Sequence, residues 1–254
     1  MTLLKMDELK KLHQKKYRRQ FGCFLAEGEH LVQELQKATY ANPALLASEL
    51  YLTEKNQDWP SVLAKHVVSD RLMKQLSDTT SPQGIVACVP MAAVLGAGSC
   101  VSTDAAAGER GVYLHEIQDP GNLGTILRTL AWFGGFRCLL SPGSVDPFNN
   151  KVVRASMGAI FHVALETDVP AAALTQRYRA IACLDMEGES LQSAAFHQAE
   201  CLAFGSEAGG LPASLLQQPG SKTFSIPGSG SIDSLNLAST VNMSVYELRR
   251  EMAS

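Results

Sequence analysis

Six short apolar runs, separated by helix-like segments, fill residues 110–254 and leave few architectures open to this part of the chain. The runs are 112–117, 136–140, 160–165, 180–184, 201–204 and 223–226, and they read as continuous apolar stretches. A strand wet on one face alternates apolar and polar residues; one covered on both faces does not. Between them lie 123–133, 151–157, 171–178, 212–216 and a final helix expected over 235–252. In that last segment Leu235, Ala238, Val241, Val245, Leu248 and Met252 form a single apolar stripe. The pattern predicts an α/β fold, a mostly parallel sheet with helices on both faces. Such sheets bind ligands in the loops beyond the carboxyl ends of their strands.

Residues 92–109 hold six Ala, three Gly and three Ser or Thr with no aromatic, the composition of a linker. They divide the chain into a smaller mixed α/β domain at 1–91 and a larger one at 110–254. In the smaller domain, Leu31, Val32, Leu35 and Ala38 have helical spacing, 70–76 reads as a helix with an acidic cap, and 84–89 as a strand. The net charge of -3 hides an asymmetry. Lys5, Lys10, Lys11, Lys15, Lys16, Arg18 and Arg19 face only Asp7 and Glu8 in the first twenty residues, while the remainder is acidic. A basic arm of this kind either contacts phosphates or is a solvated helix face.

The six cysteines are never closer than twelve positions, so no CxxC pair seeds a zinc or redox site, and all six read as structural. No metal is expected. The longest apolar stretch, 85–98, is broken by Pro90 and two glycines, and the N-terminus carries Lys5, Asp7 and Glu8 in place of an apolar signal. The expected location is the cytoplasm, with no membrane partner.

Three loops carry unusual residues. The first is Asp-Pro-Gly-Asn-Leu-Gly-Thr-Ile-Leu-Arg-Thr at 119–129, where Asn122 stands ready to cap a helix and Arg128 points away from its apolar stripe, one turn before Trp132. The second, Phe-Gly-Ser-Glu-Ala-Gly-Gly-Leu at 204–211, has one carboxylate, Glu207, among three glycines that let a ligand approach the backbone. It has neither the lysine of a P-loop nor the GxGxxG of a dinucleotide site. The third, Ile-Pro-Gly-Ser-Gly-Ser-Ile-Asp-Ser-Leu-Asn at 226–236, precedes the final helix, with Asp233 or Ser234 as its cap. His115 and His162 sit in apolar runs and read as structural, while Lys151 and Arg154 lie on a short helix that contacts RNA or is merely solvated.

In order and spacing these loops resemble the three motifs of the SpoU (TrmH-like) RNA ribose 2'-O-methyltransferases of the SPOUT superfamily. The segment Lys-Lys-Tyr-Arg-Arg-Gln-Phe-Gly-Cys-Phe-Leu-Ala-Glu-Gly at 15–28 is similar to the opening of that family's substrate-binding domain. The resemblance implies a catalytic domain whose C-terminal segment forms a deep trefoil knot, S-adenosylmethionine as cofactor, a homodimer and an RNA substrate, ribosomal more than transfer RNA. It places cofactor contacts at Gly205, Gly210, Ile226 and Leu235, with Glu207 and Ser234 nearby. Ala208 and Gly228 depart from the usual pattern by small-residue exchanges.

The catalytic set implied is Arg128, Asn122, Glu207, Ser234 and Asn236, and the RNA-binding set Lys15, Lys16, Arg18, Arg19, Lys151 and Arg154. A ribose 2'-hydroxyl must lose its proton as it attacks the sulfonium methyl. A guanidinium, with a pKa above about 12, is a poor base, but it binds a neighbouring phosphate bidentately and lowers the hydroxyl pKa. Asn122 would orient the ribose, with Glu207 and Asn236 holding the Arg128 fork. The rival expectation is an RNA-binding assembly factor on the same fold without catalysis.

Overall fold

The computed structural model describes residues 4–95, 109–206, 209–231 and 234–250. Chain order begins with helix α1 (Met6–Leu9), a 3-10 turn, helix α2 (Lys15–Phe21), strand β1 (Cys23–Glu27) and helix α3 (Glu29–Ala38). Strands β2 (Glu49–Thr53) and β3 (Ala64–Val68), helix α4 (Asp70–Leu76), strand β4 (Ile85–Pro90) and helix α5 (Met91–Val94) follow. The strands form a four-stranded sheet in the order β1-β4-β2-β3. Residues 4–20 are no free arm: Leu9 and Leu12 are fully buried against Leu25, Tyr51, Met73 and Leu76. Ser69, not an acidic residue, caps α4, its hydroxyl accepting the Leu72 N–H at 3.3 Å. Of the linker expected at 92–109, residues 96–108 lie outside the described part, while Ala93 and Val94 are buried.

The larger sheet takes in β5 (Arg110–Leu114), β6 (Phe136–Leu140), β7 (Ala164–Glu166), β8 (Ile181–Ser190), β9 (Cys201–Phe204) and β10 (Ser221–Ser225). All its pairings are parallel, in the order β10-β8-β9-β5-β6-β7. Its helices are α6 (Pro120–Phe133), α7 (Asn150–Ala155), α8 (Leu174–Arg177), α9 (Ala194–His197), α10 (Ala213–Leu216) and α11 (Leu237–Arg250). The continuous apolar runs have their expected cause. Val112, Leu114, Cys138, Leu140, Leu202 and Phe204 face one core, and Tyr113, Leu139, Cys183, Cys201 and Ala203 face another. The first of these cores also takes in Phe24, Leu50, Leu52, Ile85 and Val89 of the small sheet, so the two sheets share packing. Phe24 lies 4.8 Å from Phe148, ring centre to ring centre. The five described cysteines are buried thiols in no disulfide, and burial pushes the Cys138 thiol up to about 12.

Several local expectations are corrected. The run at 160–165 is a 3-10 turn (Ala159–Phe161) followed by the short β7. A short buried apolar run suits a helical turn as well as a strand, and Gly158 at φ +88° starts the turn. Helix α6 starts at Pro120, capped by Asp119, whose carboxylate accepts the Asn122 N–H at 2.7 Å. Helix α11 starts at Leu237 with Asn236 as its cap, Oδ1 accepting the Ser239 N–H at 3.2 Å, in place of Asp233 or Ser234. Leu235 therefore leaves the apolar stripe and is 42% exposed, while Leu237 takes the buried place.

Candidate active site

Strands β5 and β9 lie side by side at the point where the chain order of the sheet reverses, with Leu114 opposite Phe204. The loops leaving their carboxyl ends, 115–119 and 205–212, therefore start as neighbours, and the His115 N–H donates to the Phe204 carbonyl at 2.8 Å. The third loop, 226–236, is brought in by α11, which runs alongside α6. Asn236 Nδ2 donates to Asn122 Oδ1 at 3.0 Å, the Thr129 hydroxyl donates to Asn242 Oδ1, and the Phe133 and Tyr246 rings are 6.2 Å apart. Contacts that climb both helices together mean that α6 and α11 are parallel. Asn122 and Asn236, far apart in sequence, thus meet at the two amino ends.

Because Asp119 does the capping, the Asn122 side chain is left to meet Asn236. Gly124 serves packing and not the ligand: a Cβ there would lie 2.4 Å from the Ala155 Cβ, so the glycine lets α7 close on α6. Arg128 is exposed and forms no ion pair or hydrogen bond among the described residues. It stands about 9 Å along α6 from Asn122 at ~1.5 Å per residue. Asn236 does not hold the Arg128 fork, since its amide is spent on Asn122 and its oxygen on the α11 cap. Glu207, Ala208 and Asp233 lie outside the described residues. Ser234 is exposed in the third loop beside the cap.

The second loop is folded tightly on itself. Ser206 and Gly210 form an antiparallel bridge, with the Gly210 N–H on the Ser206 carbonyl at 3.0 Å. A Cβ on Gly205 would sit 2.1 Å from the Gly210 carbonyl carbon, so only glycine allows this closure. Ile226 is half-buried where β10 ends, Leu235 is exposed beyond it, and no Cβ added at Gly228 or Gly230 would meet an atom of the described residues within 4 Å. Open backbone flanked by exposed apolar side chains fits a ligand that has an apolar ring and a polar tail gripped by main-chain groups. The outer half of β8, to which no sequence motif points, belongs here too. Its Gly188 carbonyl accepts the Ser225 hydroxyl at 3.3 Å, and Met186 is exposed beside it.

His115 is engaged from below, its Nδ1 3.2 Å from the Tyr113 hydroxyl, and burial pushes that phenol up to about 12. The basic residues divide. Lys15, Lys16, Arg19 and Lys151 are exposed, with Arg19 3.5 Å from Asp168. Arg18 is not an RNA-facing cation: it is 2% exposed, because α2 packs down beside Leu12 and Asp146 receives its guanidinium. Arg154 is partly committed to Asp78 of the small domain at 3.1 Å. A separate cavity of ≈ 490 Å³, lined by Arg110, Phe136, Tyr178 and Glu200, opens at the amino ends of the strands, on the far side from these loops. Among the described residues no three His, Cys, Asp or Glu side chains gather as metal ligands, and no helix is long and apolar enough to cross a membrane.

Comparison with known proteins agrees with this layout. An MRM3-like substrate binding domain matches residues 5–87, and the SpoU rRNA Methylase family matches residues 109–246. The 23S rRNA (guanosine(2553)-2'-O)-methyltransferase RlmP of Bacillus subtilis is 29% identical, with 96% of each chain covered. Among solved structures, an RNA methyltransferase assigned to the TrmH family from Porphyromonas gingivalis is 28% identical over 98% of this chain and 100% of its own, with a TM-score of 0.76. An rRNA methyltransferase from Sinorhizobium meliloti bound to S-adenosylmethionine shares the fold at a TM-score of 0.77 and 24% identity, covering 98% of this chain and 95% of its own. A family match over more than half of the sequence, on a sheet whose three signature loops meet at one edge, makes this chain a member of the SpoU rRNA methylase family.

Proposed function

We propose that the protein is an S-adenosylmethionine-dependent methyltransferase acting on a ribose 2'-hydroxyl of ribosomal RNA in the cytoplasm. The observation that carries the reading is the hydrogen bond between Asn236 and Asn122, which joins the first and third loops at the edge of the sheet, beside the glycine-closed second loop. Main-chain groups around Gly205, Gly210, Ile226 and Leu235 would hold the cofactor, which supplies an activated methyl on a sulfonium. Asn122 keeps its orientation through Asn236 and is set to hold the ribose. Arg128, whose charge no described residue neutralises, binds the phosphate next to the target and favours loss of the hydroxyl proton. Positioning of this kind is worth several kcal/mol, on the order of the effective-molarity gains of oriented reactions.

Arg128 shares its outward face with Trp132, which is 85% exposed, while Met243 and Tyr246 are exposed on the neighbouring α11. We read this face as the contact of a two-fold homodimer, across which Arg128 completes the partner's site. Asn236 and Asn242 give no support to the dimer, having found partners within the chain. The test is transfer of labelled methyl from S-adenosylmethionine to ribosomal RNA by the purified chain, with the product mapped for 2'-O-methylation. RNA binding without cofactor binding or transfer would make the protein a non-catalytic assembly factor, and methylation of transfer RNA alone would reassign the substrate.

A further inference from the structure

Helix α2 carries its basic residues in two directions. Lys15 and Arg19, one turn apart, line a cleft of ≈ 100 Å³ between the two sheets, together with Ser141, Ser144 and Asp168. Arg18 turns inward. Its Nη1 donates to the Leu12 and His13 carbonyls, each at 2.8 Å, and its Nε and Nη2 donate to Asp146 Oδ2 at 3.0 and 2.5 Å. Asp146 accepts the Phe148 N–H on its other oxygen at 3.1 Å and is 11% exposed. A buried ion pair of this kind adds little net stability over well-packed apolar groups, but a two-pronged fork fixes an orientation.

Asp146 is part of the 141–149 loop at the carboxyl end of β6, and that loop also supports the first motif. The Val145 N–H donates to the Ile117 carbonyl at 2.8 Å, Gln118 Nε2 to the Gly143 carbonyl at 3.0 Å, and the Glu116 N–H to Ser141 Oγ at 2.7 Å. Glu116 is held at a φ of +51°, a left-handed conformation that this bonding maintains. Asp119 follows directly and caps the helix that bears Asn122. A continuous set of bonds therefore runs from Arg18 to the catalytic loop.

We propose that Arg18 and Asp146 are positioning residues for methyl transfer. Their pair sets Lys15 and Arg19 at a fixed reach from Asn122, so that an RNA backbone phosphate seated in the cleft brings the target ribose to the first motif. The role rests on the methyltransferase reading above and deepens it by naming what aligns the RNA.

The test uses the full chain with a ribosomal RNA transcript and S-adenosylmethionine. Arg18→Lys keeps the charge and loses the fork; Asp146→Asn keeps an acceptor and loses the charge. Leu174→Ala, in the second core of the larger sheet, which holds no residue that binds the pair, is the control for lost stability. The expected result is a single-turnover rate at saturating RNA lowered by about tenfold or more in both pair variants, in line with the cost of slight misplacement. Cofactor affinity stays at the wild-type value, and the double variant is no worse than either single one, as for groups acting as a unit. Leu174→Ala keeps its rate below its own melting temperature. If Arg18→Lys fails to fold, Asp146→Asn decides. Wild-type rates in the pair variants, or an equal loss in Leu174→Ala, would overturn the positioning role alone. A wild-type chain that transfers no methyl would overturn the methyltransferase reading and this role with it.

Discussion

Adding one methyl group to Gly205 should cost the protein its cofactor and little else. In Gly205→Ala the new Cβ would lie 2.1 Å from the Gly210 carbonyl carbon and 2.5 Å from the Gly210 Cα and oxygen, all main-chain atoms that cannot swing aside. Forcing a methyl into a closed contact costs about 1–3 kcal/mol. The sheet below is fully buried through β9, whereas Gly209 and Gly210 are exposed, so the strain is relieved by opening the loop and not by disturbing the core. Folding then loses one backbone hydrogen bond, about 1 kcal/mol. Binding must close the loop again, and at ~1.4 kcal/mol per factor of ten the affinity for S-adenosylmethionine falls about tenfold to a hundredfold. Isothermal titration beside a thermal melt measures both. Gly210→Ala is the companion, since no atom of the described residues lies within 4 Å of its Cβ and the left-handed φ of +63° is penalised by about 1–2 kcal/mol. Wild-type cofactor affinity in Gly205→Ala would refute the assignment of this loop.

Three further outcomes are expected. Arg128→Ala abolishes methyl transfer and leaves cofactor affinity unchanged by titration, because Arg128 stands on the α6 surface away from the glycine loop; a large loss of affinity would mean that it reaches the cofactor. Replacing Lys15, Lys16 and Arg19 together with Gln weakens RNA binding and flattens its dependence on salt, by a slope of about 0.7–0.9 for each phosphate left without its cation. Point changes suit the test because removing the whole segment would also strip the buried Leu9 and Leu12 from the core. Trp132→Glu lowers both the mass seen by light scattering at low micromolar protein and the methylation rate; a fully active monomer would dismiss the α6 face as a subunit contact.

The larger sheet was legible in the sequence because its central strands must be apolar on both faces, and that demand leaves unbroken runs such as 112–114 and 201–204 whatever the rest of the chain does. The glycines of the second loop were legible for the same local reason, since a tight closure admits no side chain. What a residue does when it has two polar partners to choose from was not legible. Asn122 reads as a helix cap until Asp119, three residues earlier, takes that place and frees it for Asn236. Asn236 in turn reads as a support for Arg128 until it proves to be the cap of α11.

Local spacing determined most of the strands and helices and which loops stand out, because those choices depend on neighbours within a few positions; the run at 160–165, a 3-10 turn before the short β7, is the exception. It also delivered Arg128 and Trp132 to an outer helix face. Only the tertiary structure decided that α6 and α11 lie parallel and bring Asn122 to Asn236, and that Gly124 exists to admit Ala155. Only there does Arg18 part company with Lys15 and Arg19. All three belong to one basic run, and the sequence assigns them one role. Burial assigns them two, because a charge withdrawn from water must find a counter-charge, and Arg18 finds it in Asp146, in the loop that leaves β6 of the larger sheet.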